Sequence, residues 1–104
     1  MAVKPVSEAQ VFNDHRMRKE LLFQENGSRA FVLNLMPGQE LPAHRHPGHQ
    51  VYLFLFEGEG EYSLDGEQHP FCLRDVLHCG EKQKLGMKNT GSELMSVYVV
   101  LAKS

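Results

Sequence analysis

Short apolar segments alternate with turn residues along the whole chain. The segments are separated by glycine, proline and aspartate at close spacing, which is typical of an all-β sandwich or barrel. The predicted strands are residues 19–25, 29–36, 41–46, 50–56, 61–64, 67–71, 75–78, 83–89 and 93–101. Asp65-Gly66 is the clearest turn signal, because a two-residue type I′ hairpin needs positive φ at both positions. Residues 7–17 have no convincing helix cap and are given no element.

Two of the predicted strands are apolar on both faces. They are residues 51–56, with the sequence VYLFLF, and residues 97–101, with the sequence VYVVL. A strand that is apolar on both sides needs cover on both sides. One face meets the core, and the other is covered either by a second copy of the chain or by the N-terminal segment. We expect a homodimer formed through the outer face of a sheet.

Composition excludes several classes of protein. A chain of 104 residues is long enough for one domain, and its net charge of −2 gives no reason to expect nucleic acid as a partner. The longest apolar run, residues 51–56, is too short to cross a membrane, and the N-terminus lacks the apolar stretch of a secretory signal. The two cysteines form no disulfide framework and are expected to be small buried hydrophobes. We therefore expect a cytoplasmic protein without membrane contact.

Half of the histidines lie within six residues, at His44, His46 and His49. Residues two apart on a strand point to the same side, so His44 and His46 are expected to project together. Two neutral imidazoles side by side can form two corners of a divalent metal site. The alternatives are a pair of surface histidines, or two histidines hydrogen-bonded inside a polar pocket.

The surrounding residues resemble the two motifs of the cupin superfamily. Gly38 precedes His44 by five residues, His46 follows, and Gly58 closes the first motif. In the second motif Asp75 falls on the Gly-Asp turn and Asn89 matches the terminal asparagine. The resemblance covers Phe31 to Leu101. It implies a single cupin barrel, a double-stranded β-helix or jelly roll, over residues 29–104, with residues 1–28 contributing edge strands.

The sequence departs from the family at the metal site. Cupins that bind metal usually supply three histidines and one glutamate. Here the glutamate position falls on Gln50 or Val51, and the histidine position of the second motif falls on Leu85. The resemblance implies one of Mn, Fe, Ni, Cu or Zn, or no metal at all. The expected ligands, in order, are His44, His46, Gln50 and His49.

Whether Gln50 or Val51 faces the barrel decides which side chains of this strand line it. If Gln50 faces inward, Tyr52 and Phe54 share its face, and if Val51 does, Leu53 and Leu55 line the wall instead. The sequence leaves this register open. His78 is added as a potential acid or base, and Gln83 because it stands two residues before Leu85. The expected pocket residues are Tyr52, Phe54, His78, Gln83 and Leu85.

Two functions are compatible with these residues. The first is metal-dependent chemistry on a small polar molecule, for which the family implies an oxygenase, an isomerase or a decarboxylase. The second is a metal-free module that binds a sugar or an organic acid in the barrel, which Leu85 and the missing glutamate favour. Neither function identifies a catalytic residue.

Overall fold

The computed structural model describes all residues from Met1 to Ser104 and consists almost entirely of strands. A short 3-10 helix, Val6–Ala9, precedes nine strands. The strands are β1 Arg18–Glu25, β2 Ser28–Leu35, β3 Glu40–His44, β4 His49–Glu57, β5 Gly60–Leu64, β6 Glu67–Phe71, β7 Val76–Cys79, β8 Leu85–Lys88 and β9 Met95–Lys103. Each predicted strand has its counterpart here, so the predicted all-β fold class is confirmed.

The strands form two antiparallel sheets that close around one core. The five-stranded sheet has the order β1-β2-β9-β4-β7, and the four-stranded sheet has the order β3-β8-β5-β6. Strand β1 is therefore an edge strand, paired only with β2. Between β5 and β6, Asp65 and Gly66 have φ angles of 53° and 84°, as a type I′ turn requires.

Alternation along β4 settles the register that the sequence left open. Val51, Leu53 and Leu55 are buried in the core, whereas Tyr52 and Phe54 are exposed on the outer face of the five-stranded sheet. The position of the missing glutamate is therefore taken by Val51. Strand β9 contributes inward side chains in the same way. Its residues Met95 and Val97 lie in a fully packed half of the barrel.

The N-terminal segment covers one half of the outer face of the five-stranded sheet. The Asn34 amide donates to the Ala9 carbonyl at 2.7 Å, and the Ser96 hydroxyl donates to the Asn34 carbonyl oxygen at 2.8 Å. Leu22 and Val32 are buried beside Ala9. This buried polar pair is therefore satisfied. Phe56 of β4 and Tyr98 of β9 pack against the same cluster, so part of the second apolar face of these strands is covered within the chain.

The other half of that face is uncovered. Tyr52 is 44% exposed, Phe54 36% and Val76 74%, and they lie beside half-buried Val100. We call Tyr52, Phe54, Val76 and Val100 the outer apolar patch. The N-terminal segment therefore explains only part of the two-sided apolar pattern.

None of the helical structure could span a membrane, since the one helix is a single short turn.

Candidate functional site

A cavity of about 260 Å³ lies at one end of the barrel, between the two sheets. Its wall consists mainly of buried apolar side chains. These are Phe31, Leu33, Val51, Leu53, Leu85, Val99 and Leu101. At the other end of the barrel, Leu35, Leu55 and Met95 are fully buried and fill the space. The cavity therefore opens at one end of the barrel only.

Four polar residues line the cavity, and all are at least partly exposed, so they lie at its entrance. We call them the entrance group: Lys19, Arg29, His44 and His46. They come from β1, β2, the end of β3 and the turn that follows β3. No aspartate or glutamate lines the cavity. The entrance therefore holds two permanent positive charges and two imidazoles without a negative charge.

The two histidines lie together, as the sequence predicts. Their ring centroids are 4.4 Å apart with an angle of 52° between the planes. The Nδ1 of His44 lies 2.9 Å from the Pro42 carbonyl oxygen, which makes it a donor and leaves Nε2 for a ligand. The Nδ1 of His46 is buried and has no hydrogen-bond partner in the protein. A buried polar atom without a partner is a place where a ligand or water belongs.

Leu85 stands where the family places its third histidine. It is 1% exposed, lines the cavity, and is the register partner of His44 across β3 and β8. Directly opposite residues on antiparallel strands have Cβ atoms only about 5 Å apart. The prediction that Leu85 belongs to the pocket therefore agrees with its placement, and the position contributes an apolar surface.

The predicted inward placement of Gln50, Tyr52, Phe54 and His78 is wrong. These side chains lie on the outer face of the five-stranded sheet, because Val51 and Leu53 occupy the inner positions of β4. The Gln50 carbonyl oxygen accepts a hydrogen bond from His78 Nε2 at 2.7 Å. The rings of Tyr52 and His78 lie 5.1 Å apart on the same face. Gln50 is therefore no ligand for anything held by His44 and His46.

His49 and Gln83 are also engaged elsewhere, contrary to the prediction. The two ring nitrogens of His49 lie 3.1 Å and 3.0 Å from the carbonyl oxygens of Pro47 and Gly27, which fixes the ring over the β1–β2 turn. The side-chain oxygen of Gln83 accepts from the Gly80 amide at 2.8 Å and so stabilises the turn before β8. Neither side chain lines the cavity.

Sequence reasoning missed Lys19 and Arg29. The Lys19 ammonium lies 4.6 Å from the centroid of the Phe31 ring. Neither cation has a carboxylate within 4.0 Å, since the ion pairs of this chain are Arg18–Glu20 and His69–Glu67. Arg29 precedes Phe31 by two residues and therefore shares its inward face. The inward–outward alternation of β2, extended back to the start of the strand, is the signal that could have identified Arg29.

The surroundings of His46 favour its neutral form. Burial lowers the pKa of His46 below its ordinary value of 6.5, and the positive charges of His44, His49, Lys19 and Arg29 lower it further. An imidazole in such surroundings has a free nitrogen lone pair near neutral pH. It can accept a hydrogen bond there, or donate one from its other nitrogen.

The donor set fits a resident divalent metal poorly. His44 and His46 supply two nitrogen donors, but no third histidine, cysteine, aspartate or glutamate joins them in a cluster. A carboxylate ligand would offset the charge of a dication inside the barrel, and Val51 stands in its place. Lys19 and Arg29 line the same cavity and repel a cation. The geometry therefore suits a negatively charged ligand better than a metal ion.

A family model, described as the cupin domain, matches residues 31–101. This chain belongs to the cupin family. The match covers every strand that forms the cavity wall, apart from β1 and the part of β2 that precedes Phe31. Lys19 and Arg29 thus lie outside the matched segment, whereas His44 and His46 lie within it.

This cupin is similar to two relatives of known name and to a solved structure. The chain is 31% identical over 64 residues to 5-nitrosalicylic acid 1,2-dioxygenase of a Bradyrhizobium species, which covers 62% of this chain and 30% of that protein. It is 28% identical over 91 residues to the oxalate-binding protein of Thermotoga maritima, which covers 84% of this chain and 74% of that protein. An RmlC-like cupin protein from Desulfovibrio desulfuricans superimposes with a TM-score of 0.87 at 29% identity, over 98% of this chain and 96% of the other.

Proposed function

We propose that this cupin binds a small organic anion in its barrel cavity and needs no metal ion to do so. The observation that supports the proposal is the charge of the cavity. Two cations without a carboxylate partner, Lys19 and Arg29, line it beside two imidazoles, and no acidic side chain does. An anion at the entrance would therefore meet only groups that attract it.

The chemistry of these groups suits a carboxylate. The Arg29 guanidinium presents donors in a planar fork that matches the two oxygens of a carboxylate, and Lys19 adds a point charge. His46 adds a donor or an acceptor, depending on its tautomer. Hydrogen bonds to charged groups contribute about 1.5–3 kcal/mol each. Such contacts therefore favour an acid over its neutral amide, by less where solvent screens the exposed Lys19.

The relatives support the same class of ligand. The names of the two relatives refer to a substituted salicylic acid and to oxalate, both of which are organic acids. This chain matches less than a third of the dioxygenase, so the activity of that protein is not transferred to this one. The feature shared by the two names is an organic acid as the molecule bound or acted on.

A second candidate is metal-dependent chemistry at His44 and His46. The orphaned Nδ1 of His46 and the 4.4 Å ring separation favour it, because two adjacent imidazoles can hold one ion. Such a site would have two protein ligands and two neighbouring cations. We therefore expect binding weaker than stoichiometric at micromolar metal.

The test uses untagged protein that has been freed of metal with EDTA and dialysed into chelator-free buffer, because EDTA is itself a polycarboxylate. This protein is titrated calorimetrically with 4-methylbenzoate and with neutral 4-methylbenzamide. We expect the acid to bind and the amide to bind at least about tenfold more weakly, the equivalent of 1.4 kcal/mol. Arg29→Gln should weaken the binding of the acid by a similar factor. Arg18→Gln is the matched control, because it removes the same charge from the neighbouring strand, where Arg18 pairs with Glu20 at 2.8 Å.

Two results would contradict the proposal. One is that the acid binds only after Mn, Fe, Ni, Cu or Zn is added, which would support the metal-dependent candidate. The other is that Arg18→Gln weakens binding as much as Arg29→Gln, since general surface charge would then explain the affinity.

We also propose that the outer apolar patch pairs with the same patch of a second copy. The patch lies on the face opposite the cavity, and the N-terminal segment leaves it uncovered. Isologous pairing through a sheet face would bury Tyr52, Phe54 and Val76 while leaving the entrance group open.

A further inference from the structure

We infer that the natural ligand is a monocarboxylate with a compact apolar body, about the size of a substituted benzene ring. This inference rests on the proposed function and adds the chemical class of the ligand. It comes from how polarity is distributed along the cavity. The entrance group is charged or titratable, and everything deeper in the cavity is apolar.

The inner wall has no side chain that could donate a hydrogen bond to a second charged group. Leu33, Leu53 and Val99 are almost fully buried there, and Leu85 closes the side from the other sheet. A carboxylate placed against these side chains would lose its hydration without gaining a hydrogen bond, which is strongly unfavourable. A dicarboxylate would therefore have to hold both charges at the entrance and leave the inner cavity without apolar contacts.

The size of the cavity limits the apolar body. Its volume is about 260 Å³, and an apolar cavity of about 150 Å³ is large enough to bind benzene. A benzene ring with a carboxylate and a small substituent is thus accommodated. Oxalate has no apolar surface to place against the wall.

The packed end of the barrel limits the length of the ligand. Leu35, Leu55 and Met95 fill the core beyond the cavity and leave no channel for a long chain. A fatty acid with an extended tail would therefore not enter completely. A short, broad body is the shape that remains.

One contact shows where the charged and apolar parts of the ligand would meet. The Lys19 ammonium lies 4.6 Å from the centre of the Phe31 ring, and both residues line the cavity. A carboxylate beside Lys19 would place the body attached to it alongside Phe31 and the buried wall. Aromatic bodies gain additional contact there by stacking or edge-to-face packing with Phe31.

The experiment compares three acids on the metal-free protein in chelator-free buffer, by calorimetry at one pH and ionic strength, with dodecanoate as an additional long-chain probe. The acids are 4-methylbenzoate, terephthalate and oxalate. Terephthalate is the matched control, because it replaces only the methyl group of 4-methylbenzoate by a second carboxylate. We expect 4-methylbenzoate to bind at least about tenfold more tightly than either dicarboxylate.

The outcomes separate this inference from the proposed function. If oxalate or terephthalate binds as tightly as 4-methylbenzoate or more tightly, the inference is overturned while anion binding stands. If none of the three acids binds, and dodecanoate does not bind either, the proposed function fails and the inference fails with it. If dodecanoate binds better than 4-methylbenzoate, the size limit is wrong.

Discussion

Leu85 on β8 is the direct register partner of His44 on β3. The side chain closest to the first imidazole on the neighbouring strand is therefore an apolar one, at the position where the cupin family usually places a histidine. This pair explains why the cavity combines two imidazoles with an apolar wall. It also identifies Leu85 as the residue whose replacement by histidine would turn the cavity into a metal site.

Leu85→His should create a metal site. A third imidazole would then lie opposite His44 and beside His46, and even an outer-shell partner changes metal affinity by about 10–100-fold. We expect at least that gain for Ni or Zn, together with a stability loss of about 1–3 kcal/mol for placing a polar ring in an apolar wall. Metal content and calorimetry measure the first effect, and urea unfolding measures the second.

Leu85→Gln is the control for polarity, since it adds a polar side chain without an imidazole. If both variants gain metal affinity equally, the register of His44 and Leu85 does not determine the site.

Acid should destabilise the protein through His46. Burial, and then the neighbouring positive charges, lower the pKa of His46 in the folded state below 6.5. The unfolded chain therefore takes up a proton more readily, and stability that is present above pH 6.5 is lost as the pH falls towards the folded pKa. We expect the urea midpoint to decrease between pH 7.5 and 5.5.

His46→Gln should lessen this decrease, whereas His15→Gln, at an exposed position before β1, should not. An unchanged pH dependence in His46→Gln would show that other groups account for the acid sensitivity.

The two thiols should differ strongly in reactivity. Cys79 is fully buried, and burial, followed by the negative charge of Asp65, raises the pKa of its thiol. Cys72 is exposed in the turn after β6, contrary to the expectation that both cysteines are buried, because its amide donates to Asp75 and fixes the turn at the surface. Since the thiolate is the nucleophile, Cys79 should react on the order of 100-fold more slowly, as core segments open only rarely.

Labelling of the native protein with a thiol reagent, followed by mass spectrometry, measures this difference. Cys72→Ser should show no rapid labelling until denaturant is added. Rapid labelling of that variant would mean that the β7 end of the core is open.

Phe54→Lys should dissociate the proposed dimer. The side chain is 36% exposed in the single chain and lies in the middle of the outer apolar patch. A charge there would be buried between two copies without a partner, but would remain hydrated in the monomer. Sedimentation equilibrium should therefore show a dimer for the natural chain and a monomer for the variant, with a change in folding stability of less than about 1 kcal/mol.

Leu94→Lys is the matched control, because Leu94 is an exposed apolar residue outside the patch. The proposal is wrong if the natural chain is monomeric at high micromolar concentration, or if both variants remain dimeric.

Most of the fold could be predicted from the sequence, because alternation and turn residues act locally. All nine strands and the Asp65-Gly66 hairpin follow from such patterns. The direction of Gln50 could not be predicted, since β4 is apolar on both faces and period two alone cannot choose between them. Only its pairing with β7 and β9 decides that Val51 faces inward.

The site could be predicted in part for a related reason. His44 and His46 belong to a strand end with a recognisable motif, and Leu85 follows from the second motif. His49 begins β4 directly after the Pro47-Gly48 turn, and Gln83 lies in the turn before β8, so residue spacing says little about the direction of either side chain. Lys19 and Arg29 belong to strands β1 and β2, which the family motifs do not include, so their inward direction depends on their register with Leu33 and Leu101.

The most direct measurement is a carbon–proton NMR spectrum of the metal-free protein in chelator-free buffer, recorded while 4-methylbenzoate is added. We expect the imidazole signals of His44 and His46 and the methyl signals of Leu33, Leu53 and Val99 to shift together along one saturating curve. Signals that stay unchanged with the acid, and move only when a divalent metal is added, would contradict an anion site in the barrel.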